Sequence, residues 1–541
     1  MLFVTRGGMS WKALFTCVLA LLSSTVIAAP GSNFKALQQC VNGALAGGGN
    51  VEKRVQSPAN ATWDDAYIGA IIKPETPAMI AFAESFTEVG ALMGCANTTG
   101  YQAVPRSGRH HFEGWSALNG SLVIDVSSLD YIKVSSDLSN ATIGAGANLG
   151  QIYTELSVVN KTFLGGICPT VALGGYLGVG GYSLQHRALG IAVDQVLSFK
   201  AILASGELVT VSPTSYPDLW FAARGGGQYA FIVEATVKIL TLPRSAMVVG
   251  FYNNSDTRYE VARKWLDWAP TAPKELTTQL NVYSNRTHLI GWYLGGSPEQ
   301  LRTALNSSGL LDVADGVVSI DGNCSTANSR MYWQDPSTRC TDDASAYKAF
   351  LKVYNTESIN LTPIQPAFRL DNTPALPSEP VAEPWPRFGV ISKTYFTQKS
   401  RPITNDTLKE LINSSASLGE EAGFWGEWTS FGIANPTTTS AFPWLKEAQA
   451  LLRIEMNSPK NVTQYNQNRA WLLNFEKFFR PRVGNASYAG YVDADISINP
   501  LTAFYGNNTC RLISIKQKYD PNNFFRNPFS VPTQVPKGIS C

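Results

Sequence analysis

Two segments of the chain concentrate residues that can do chemistry. Arg106-Ser107-Gly108-Arg109-His110-His111-Phe112-Glu113-Gly114 follows an apolar run ending at Val104 and sets a histidine in a tight polar loop. Cys168-Pro169-Thr170-Val171 opens a glycine-rich stretch, and seven glycines fall between Gly165 and Gly181, including Gly174, Gly175, Gly180 and Gly181. Glycine lets the backbone approach a ligand closely, and successive N–H groups in such loops can cradle a pyrophosphate. A lone glycine pair would read as a simple turn. This density around one cysteine favours close ligand approach, and Arg224-Gly225-Gly226-Gly227 adds a third cluster downstream.

Other chemistries fit poorly. The four histidines, His110, His111, His186 and His288, form no His-Glu-x-x-His, and adjacent His110 and His111 would point apart on a strand, so no metal site is expected. Gly181-Tyr182-Ser183-Leu184-Gln185 lacks the second glycine of a nucleophile elbow. Gly144-Ala145-Gly146-Ala147-Asn148-Leu149-Gly150 has one residue too many for a dinucleotide fingerprint and no placeable acidic ribose ligand, so it reads as a structural turn.

Cys17 falls in an apolar leader that starts behind Arg6 and Lys12 and ends at Val26-Ile27-Ala28. The leader reads as a signal peptide, residues 1–28, and a secreted protein is expected. About fifteen Asn-X-Ser/Thr sites, from Asn60 to Asn507, fit a glycosylating route. The mature chain keeps an odd number of cysteines: Cys40, Cys95, Cys168, Cys324, Cys340, Cys510 and Cys541. Six can pair, and the odd one needs a role as an intermolecular bridge, a reactive thiol or a cofactor link. Cys168, alone among glycines, is the candidate. Proximity suggests Cys324 with Cys340, and the other two bridges stay open. With 43 basic against 41 acidic residues no nucleic-acid or anionic-membrane partner is expected, and no later segment is apolar for long enough to span a membrane.

The elements that must position these loops form an α+β pattern. Helices are expected over Pro77 to Gly90 and Leu149 to Val158, and strands over Leu122 to Val126, Ala141 to Ile143 and Phe231 to Leu240. From about Ala246 the strands turn aromatic-rich (Val248 to Tyr252, Leu289 to Tyr293, Phe424 to Phe431), with helices over Asp256 to Trp268 and Ser297 to Leu305. Pro363 to Pro386 reads as a long excursion. Tyr505 to Pro532 opens with a helix and turns at Asp520-Pro521-Asn522.

Together these segments resemble the berberine-bridge-enzyme-like branch of the vanillyl-alcohol-oxidase superfamily, which includes plant alkaloid and cannabinoid enzymes and fungal oligosaccharide oxidases. The resemblance runs through RSGRHHFEG, CPTV, RGGG and the ending KYDPNNFFRNPFSVP, Lys518 to Pro532. It implies a bicovalent FAD, with an 8α-histidyl link at His110 and a 6-S-cysteinyl link at Cys168. Arg106, Ser107, Gly108, Gly174, Gly175, Tyr176, Gly180, Gly181, Val233 and Asn527 would surround the cofactor. It also implies a two-part FAD-binding domain of the PCMH type over residues 29–245. A substrate domain with an antiparallel sheet would cover 246–484, and 485–541 would return to the FAD domain. Four positions depart from the family: Arg109 for a glycine, Phe112 for a sugar-binding tyrosine, Tyr176 for a histidine and Gly490 for an asparagine.

By the same resemblance Tyr491, in Tyr488-Ala489-Gly490-Tyr491-Val492-Asp493, falls on the proposed base, and Glu427, in Trp425-Gly426-Glu427-Trp428, falls where relatives face the substrate. A free tyrosine has a pKa near 10, so nearby positive charge or donors must favour its phenolate. Oxygen is the expected electron acceptor, with Val171 at the gatekeeper position of oxygen-reactive members, and a monomer is expected. The expected reaction is oxidation of an alcohol on an oligosaccharide or related carbohydrate, yielding hydrogen peroxide. The alternatives are a secondary-metabolite oxidase acting on a phenolic, alkaloid or aromatic alcohol, which Phe112 would suit, and a catalytically silent secreted flavoprotein.

Overall fold

The structure, a computed structural model, describes residues 31–60, 63, 76–166, 168, 171–241, 243–324, 389–433, 440–458 and 461–541. The expected leader, the Pro363 to Pro386 excursion and, through Cys340, the Cys324 bridge fall outside them.

Four strands form the first sheet: β1 (Val55–Gln56), β2 (Met79–Phe82), β3 (Ala103–Arg106) and β4 (Leu122–Asp125), in the order β1-β2-β4-β3. β2, β4 and β3 run parallel, and β1 is antiparallel to β2. Strands covered on both faces read as continuous apolar runs rather than alternating ones. Met79 to Phe82 and Leu122 to Ile124 are wholly buried accordingly. The expected helix over Pro77 to Gly90 is therefore corrected: its first half is β2. The helix begins at Phe86, where Ser85 accepts the Glu88 N–H as N-cap, and runs to Thr99. A short apolar run carries no period that separates a buried strand from a helix. The disulfide Cys40–Cys95 ties this helix to the helix Gly31–Leu45 on the same side of the sheet.

The second sheet is antiparallel: β5 (Ile132–Val134), β6 (Asn140–Gly144), β7 (Val196–Ile202), β8 (Leu208–Val211) and β9 (Phe231–Lys238), ordered β5-β6-β9-β7-β8. Gly144 to Asn148 is the structural turn expected there, leading from β6 into the helix Leu149–Val158. Its glycines are required by packing, since a Cβ at Gly146 would stand 2.0 Å from the Val126 carbonyl oxygen.

The third sheet is also antiparallel and takes seven strands: β10 (Ser245–Tyr252), β11 (Leu276–Tyr283), β12 (Thr287–Tyr293), β13 (Gly316–Cys324), β14 (Val390–Gln398), β15 (Trp425–Ser430) and β16 (Ala448–Asn457). Their order is β13-β10-β12-β11-β15-β16-β14. The helices Arg258–Trp268, Pro298–Asn306, Asn405–Ala416 and Val462–Val483 cover one face over a core containing Trp265, Trp428, Tyr395 and Phe479. Successive strand residues point to opposite faces, so Trp428 enters that core while Trp425 and Glu427 look the other way, toward the glycine loops.

Two buried cations join the parts. Arg187 donates to the carbonyls of Pro270, Ala272, Pro273 and Leu276 at the head of β11. Lys516, in the helix Thr509–Tyr519, pairs with Asp520 at 2.7 Å and donates to Gln228 O at 3.0 Å. The chain then turns at Asp520 and returns, Phe525 entering the core of the first sheet. The disulfide Cys510–Cys541 closes the end.

Candidate functional site

A cavity of about 820 Å³ lies where the two smaller sheets meet the open face of the large one. Its first wall is the loop after β3. Arg106, the last residue of β3, donates through Nε to Asp125 Oδ2 at 2.5 Å at the parallel end of β4. Arg109 has φ +60, a left-handed conformation that favours glycine. Its buried guanidinium lies 3.8 Å from the same Asp125, so the departure from glycine is accommodated by a charge partner. Beyond it, His111 Nδ1 accepts the Glu113 N–H at 3.1 Å, and Glu113 Oε1 accepts the Ala494 N–H at 3.3 Å. The histidine loop is thereby tied to the loop that carries Tyr491. Burial lowers the His110 pKa to about 4, so the imidazole is neutral.

The second wall is the cysteine segment and the helix Leu173–Gly178. Leu149 N–H to Val171 O, Leu173 N–H to Ala147 O and Gly174 N–H to Ala145 O, all 2.9–3.0 Å, lace it to the turn after β6. Cys168 is half-buried, outside any disulfide, and lines the cavity. Tyr176 donates its hydroxyl to Leu164 O at 3.0 Å and Tyr182 O at 2.8 Å.

The residues expected around a cofactor divide. Arg106, Ser107, Gly108, His110, Cys168, Gly174, Gly175, Tyr176 and Asn527 line the cavity, as do Tyr491, Glu427 and Val171. Gly180, Gly181 and Val233 stand behind the wall. Gly180 and Gly181 have φ +103 and +70, and a Cβ at Gly181 would lie 2.6 Å from the Tyr176 ring. Val233 is fully buried, its carbonyl accepting the Ala145 N–H at 3.0 Å.

The third wall is the open face of the large sheet. Register sets Asn281 opposite Glu427 and Glu427 opposite Arg453, while Trp425 faces Glu455. Arg453 Nη2 donates to Glu427 Oε2 at 2.8 Å, and its Nε lies 3.3 Å from Glu455 Oε1. The guanidinium also stands 4.6 Å from the Tyr491 ring centre, 4.9 Å from Trp425 and 5.6 Å from Phe112. Burial opposes its charge, but Glu427 and Glu455 hold its pKa well above the usual range. Phe112 packs on Tyr491 at 4.9 Å. Gly490 makes room for Tyr488, since a Cβ there would lie 2.4 Å from that ring.

Tyr491 Oη and Tyr182 Oη are 2.7 Å apart, and Tyr182 Oη reaches Glu427 Oε1 at 3.4 Å. The positive charge expected beside Tyr491 is present as Arg453, yet burial outweighs it, and Glu427 adds to the upward displacement, so the phenol is held protonated. Tyr182 is raised well above 10 in the same way, first by burial. Three groups were missed in the sequence: Tyr182, Arg453 and Glu455. Their signal was faint, a tyrosine after Gly180-Gly181 and two charges alternating with Leu452, Ile454 and Met456 in an apolar strand. Among the described residues no cluster of metal-ligating side chains occurs and no helix is long and apolar enough to cross a membrane.

Known proteins match this arrangement. An FAD binding domain family matches residues 77–212, and the family "Berberine and berberine like" matches 487–532. FAD-linked oxidoreductase pynB of Aspergillus niger is 42% identical over 99% of this chain and 100% of its own. Physcomitrella patens BBE-like 1 superposes with a TM-score of 0.75 at 20% identity, covering 92% of this chain and 99% of its own. Acremonium strictum glucooligosaccharide oxidase, described with a 6-S-cysteinyl, 8α-N1-histidyl FAD, superposes at 0.72 and 19% identity, covering 92% of this chain and 100% of its own. The two superpositions establish the shared fold.

Proposed function

Because the chain belongs to the berberine-bridge-enzyme-like family of FAD-linked oxidoreductases, we propose that it holds FAD through His110 and Cys168 and oxidises a compact aromatic or conjugated alcohol, with oxygen as final acceptor. The residues present suit the cofactor. A neutral imidazole and a thiol line one cavity. Gly175 offers backbone that no side chain crowds, and Arg106 Nη1 and Nη2 have no hydrogen-bond partner among the described residues. When bound, FAD supplies a two-electron acceptor for a hydride from carbon. Residues 29–245 and 485–541 then form the cofactor unit and 246–484 the substrate cover.

The observation that carries the substrate class is the aromatic lining around a polar cluster that is already cross-paired. Phe112, Trp425, Tyr283 and Tyr491 line the cavity, while Arg453 bonds Glu427 and pairs by charge with Glu455. A sugar needs many open donors and acceptors along its hydroxyls, and unpaired polar groups on either side are costly. A flat conjugated alcohol needs ring contacts and one polar anchor at the reacting oxygen. The oligosaccharide reading draws on the glucooligosaccharide oxidase among the fold relatives. The leader, the glycosylation sites and the disulfides Cys40–Cys95 and Cys510–Cys541 support secretion.

Peroxide release measured against a panel of aromatic and allylic alcohols and a panel of oligosaccharides tests the reading. Turnover confined to the first panel supports it, turnover confined to the second transfers the site to carbohydrate, and silence on both removes the oxidase reading.

A further inference from the structure

Solvent reaches the cavity from one end of the large sheet. Alternate residues of a strand share a face, and along each strand that lines the cavity burial gives way in the same direction. Gln279 is buried and Tyr283 half-buried on β11, Glu427 is buried and Trp425 half-buried on β15, and Glu455 is buried and Asn457 exposed on β16. The mouth therefore opens at Tyr283, Trp425 and Asn457. There β11 turns into β12 through the hairpin Ser284-Asn285, closed by the Tyr283 N–H on the Arg286 carbonyl at 2.9 Å. Asn285 is exposed at the tip and begins Asn285-Arg286-Thr287, one of the Asn-X-Ser/Thr triplets.

Two features of this triplet point beyond a turn. Asn285 Oδ1 accepts from Arg286 Nη1 at 3.0 Å, and a guanidinium only donates, so the amide is oriented with its nitrogen away from Arg286. The same guanidinium stands 4.4 Å from the centre of the Tyr283 ring, which pins the tip beside the mouth. Thr287, the first residue of β12, is fully buried, and its hydroxyl has no hydrogen-bond partner among the described residues. A buried hydroxyl left unpaired costs about 1–3 kcal/mol, and valine would suit the same strand position without that cost. Packing gives no reason for the hydroxyl, whereas an acceptor triplet for N-glycosylation requires it. Since the folded chain hides Thr287, transfer belongs to the stage before the hairpin closes.

We propose that Asn285 carries an N-linked oligosaccharide that stands at the cavity mouth and screens it against long ligands. The modification rests on the secretion reading above, and the screening deepens the compact-alcohol reading of the same cavity. The donor is a lipid-diphosphate-linked oligosaccharide of the secretory route. One N–H bond of the Asn285 amide breaks, and an N–C bond to the anomeric carbon of the first sugar forms. The C–O bond from that carbon to the diphosphate breaks, the diphosphate leaves with the electron pair, and the amide proton passes to solvent. A branched sugar rooted beside Tyr283 leaves a small flat molecule a path past Tyr283 and Trp425 but crowds any chain that extends out of the mouth.

The test expresses the full chain in a secreting yeast. Peptide mapping after enzymatic glycan release in heavy-oxygen water should find the asparagine of the Asn285 peptide converted to labelled aspartate. Asn285→Gln and Thr287→Val should each lose that label and one glycan, and Thr287→Ser should keep both. Hydroxyl-radical footprinting reads the screening without substrate. Labelling of Tyr283 and Trp425 should rise in Asn285→Gln and stay at the parent level in Asn97→Gln, which alters the helix Phe86–Thr99 over the first sheet. Where an alcohol is turned over, KM for the long members of a graded panel should fall in Asn285→Gln while KM for the compact members stays unchanged. An unmodified Asn285 in a protein whose other triplets are occupied overturns the site, and a protein with no occupied triplet overturns the secretion reading with it. Equal labelling of Tyr283 and Trp425 with and without the glycan overturns the screening. Mapping and footprinting need no turnover, so both still decide the proposal if no alcohol is oxidised.

Discussion

Replacing Asp493 by Asn should change how stability depends on pH. Asp493 lies two residues past Tyr491, 7% exposed, with Oδ2 2.6 Å from Lys393 Nζ and Oδ1 accepting the Asp495 N–H at 2.9 Å. Glu476 competes for the same lysine while Arg480 holds its other side at 3.0 Å. Burial pushes the Asp493 pKa from 3.8 up to about 6, against the pull of Lys393. A carboxyl raised in the fold binds its proton more tightly there than when unfolded. Its contribution to stability is therefore fully present below the unfolded value and is lost as pH rises through about 6. A displacement of about two pH units corresponds to about 3 kcal/mol. Asparagine cannot ionise, can keep the bond to the Asp495 N–H, and leaves Lys393 with Glu476 and with Asp495 O at 3.2 Å. The variant should gain about 3 kcal/mol on the parent between about pH 4 and about pH 7. Thermal unfolding of both proteins at the two pH values reads this directly. An offset that is the same at both would show that the buried cluster does not displace Asp493.

Gly181→Ala should destabilise by about 3 kcal/mol and blunt flavin reduction, because a positive φ and a ring 2.6 Å from the new Cβ both oppose it and the displaced Tyr176 also holds Tyr182; melting temperature and reduction rate check it together. Arg187→Met strands four carbonyl acceptors at the head of β11 and should cost about 3 kcal/mol or more in denaturant unfolding, with activity lost only through the fold. His110→Ala and Cys168→Ala should each leave flavin colour in an acid precipitate, and only the double change should release it all to the supernatant. Complete release from the parent protein would remove the bicovalent link.

Much of the fold was legible where composition, length and bounding turns agreed. The strands at Leu122, Ala141, Phe231, Leu289 and Trp425, and the helix Leu149–Val158, stand where β-branched or aromatic runs between turn residues, or helical spacing, placed them. The failure at Pro77 to Gly90 has a definite cause. Met79 to Phe82 lies inside a parallel sheet buried on both faces, so its residues carry no alternation, and the decisive signal was Ser85 three residues before Glu88. The glycines divided for a related reason. Gly108, Gly174 and Gly175 reach the cavity, whereas Gly180 and Gly181 are small because Phe442 and the Tyr176 ring pack against them. Sequence cannot tell these causes apart, since both demand the absence of a Cβ.

The cofactor side of the site lies in contiguous stretches, so its motifs could be read from the chain. The proton side is assembled by strand register. Glu427 meets Arg453 because β15 and β16 pair in one alignment, and a slip of one residue would turn Arg453 into the helical core and bring Ile454 to the cavity. Tyr182 reaches Tyr491 across 309 residues of chain. No local pattern encodes such meetings, which is why Tyr491 and Glu427 looked like rival bases when each was read within its own segment. Set opposite one another with Tyr182 between them, they need not be rivals. Burial makes a tyrosinate costly at Tyr491, and the same strand register that brings Glu427 to this cavity seats its carboxylate on Arg453 at 2.8 Å, so the charged and the phenolic halves of the site are set by one alignment.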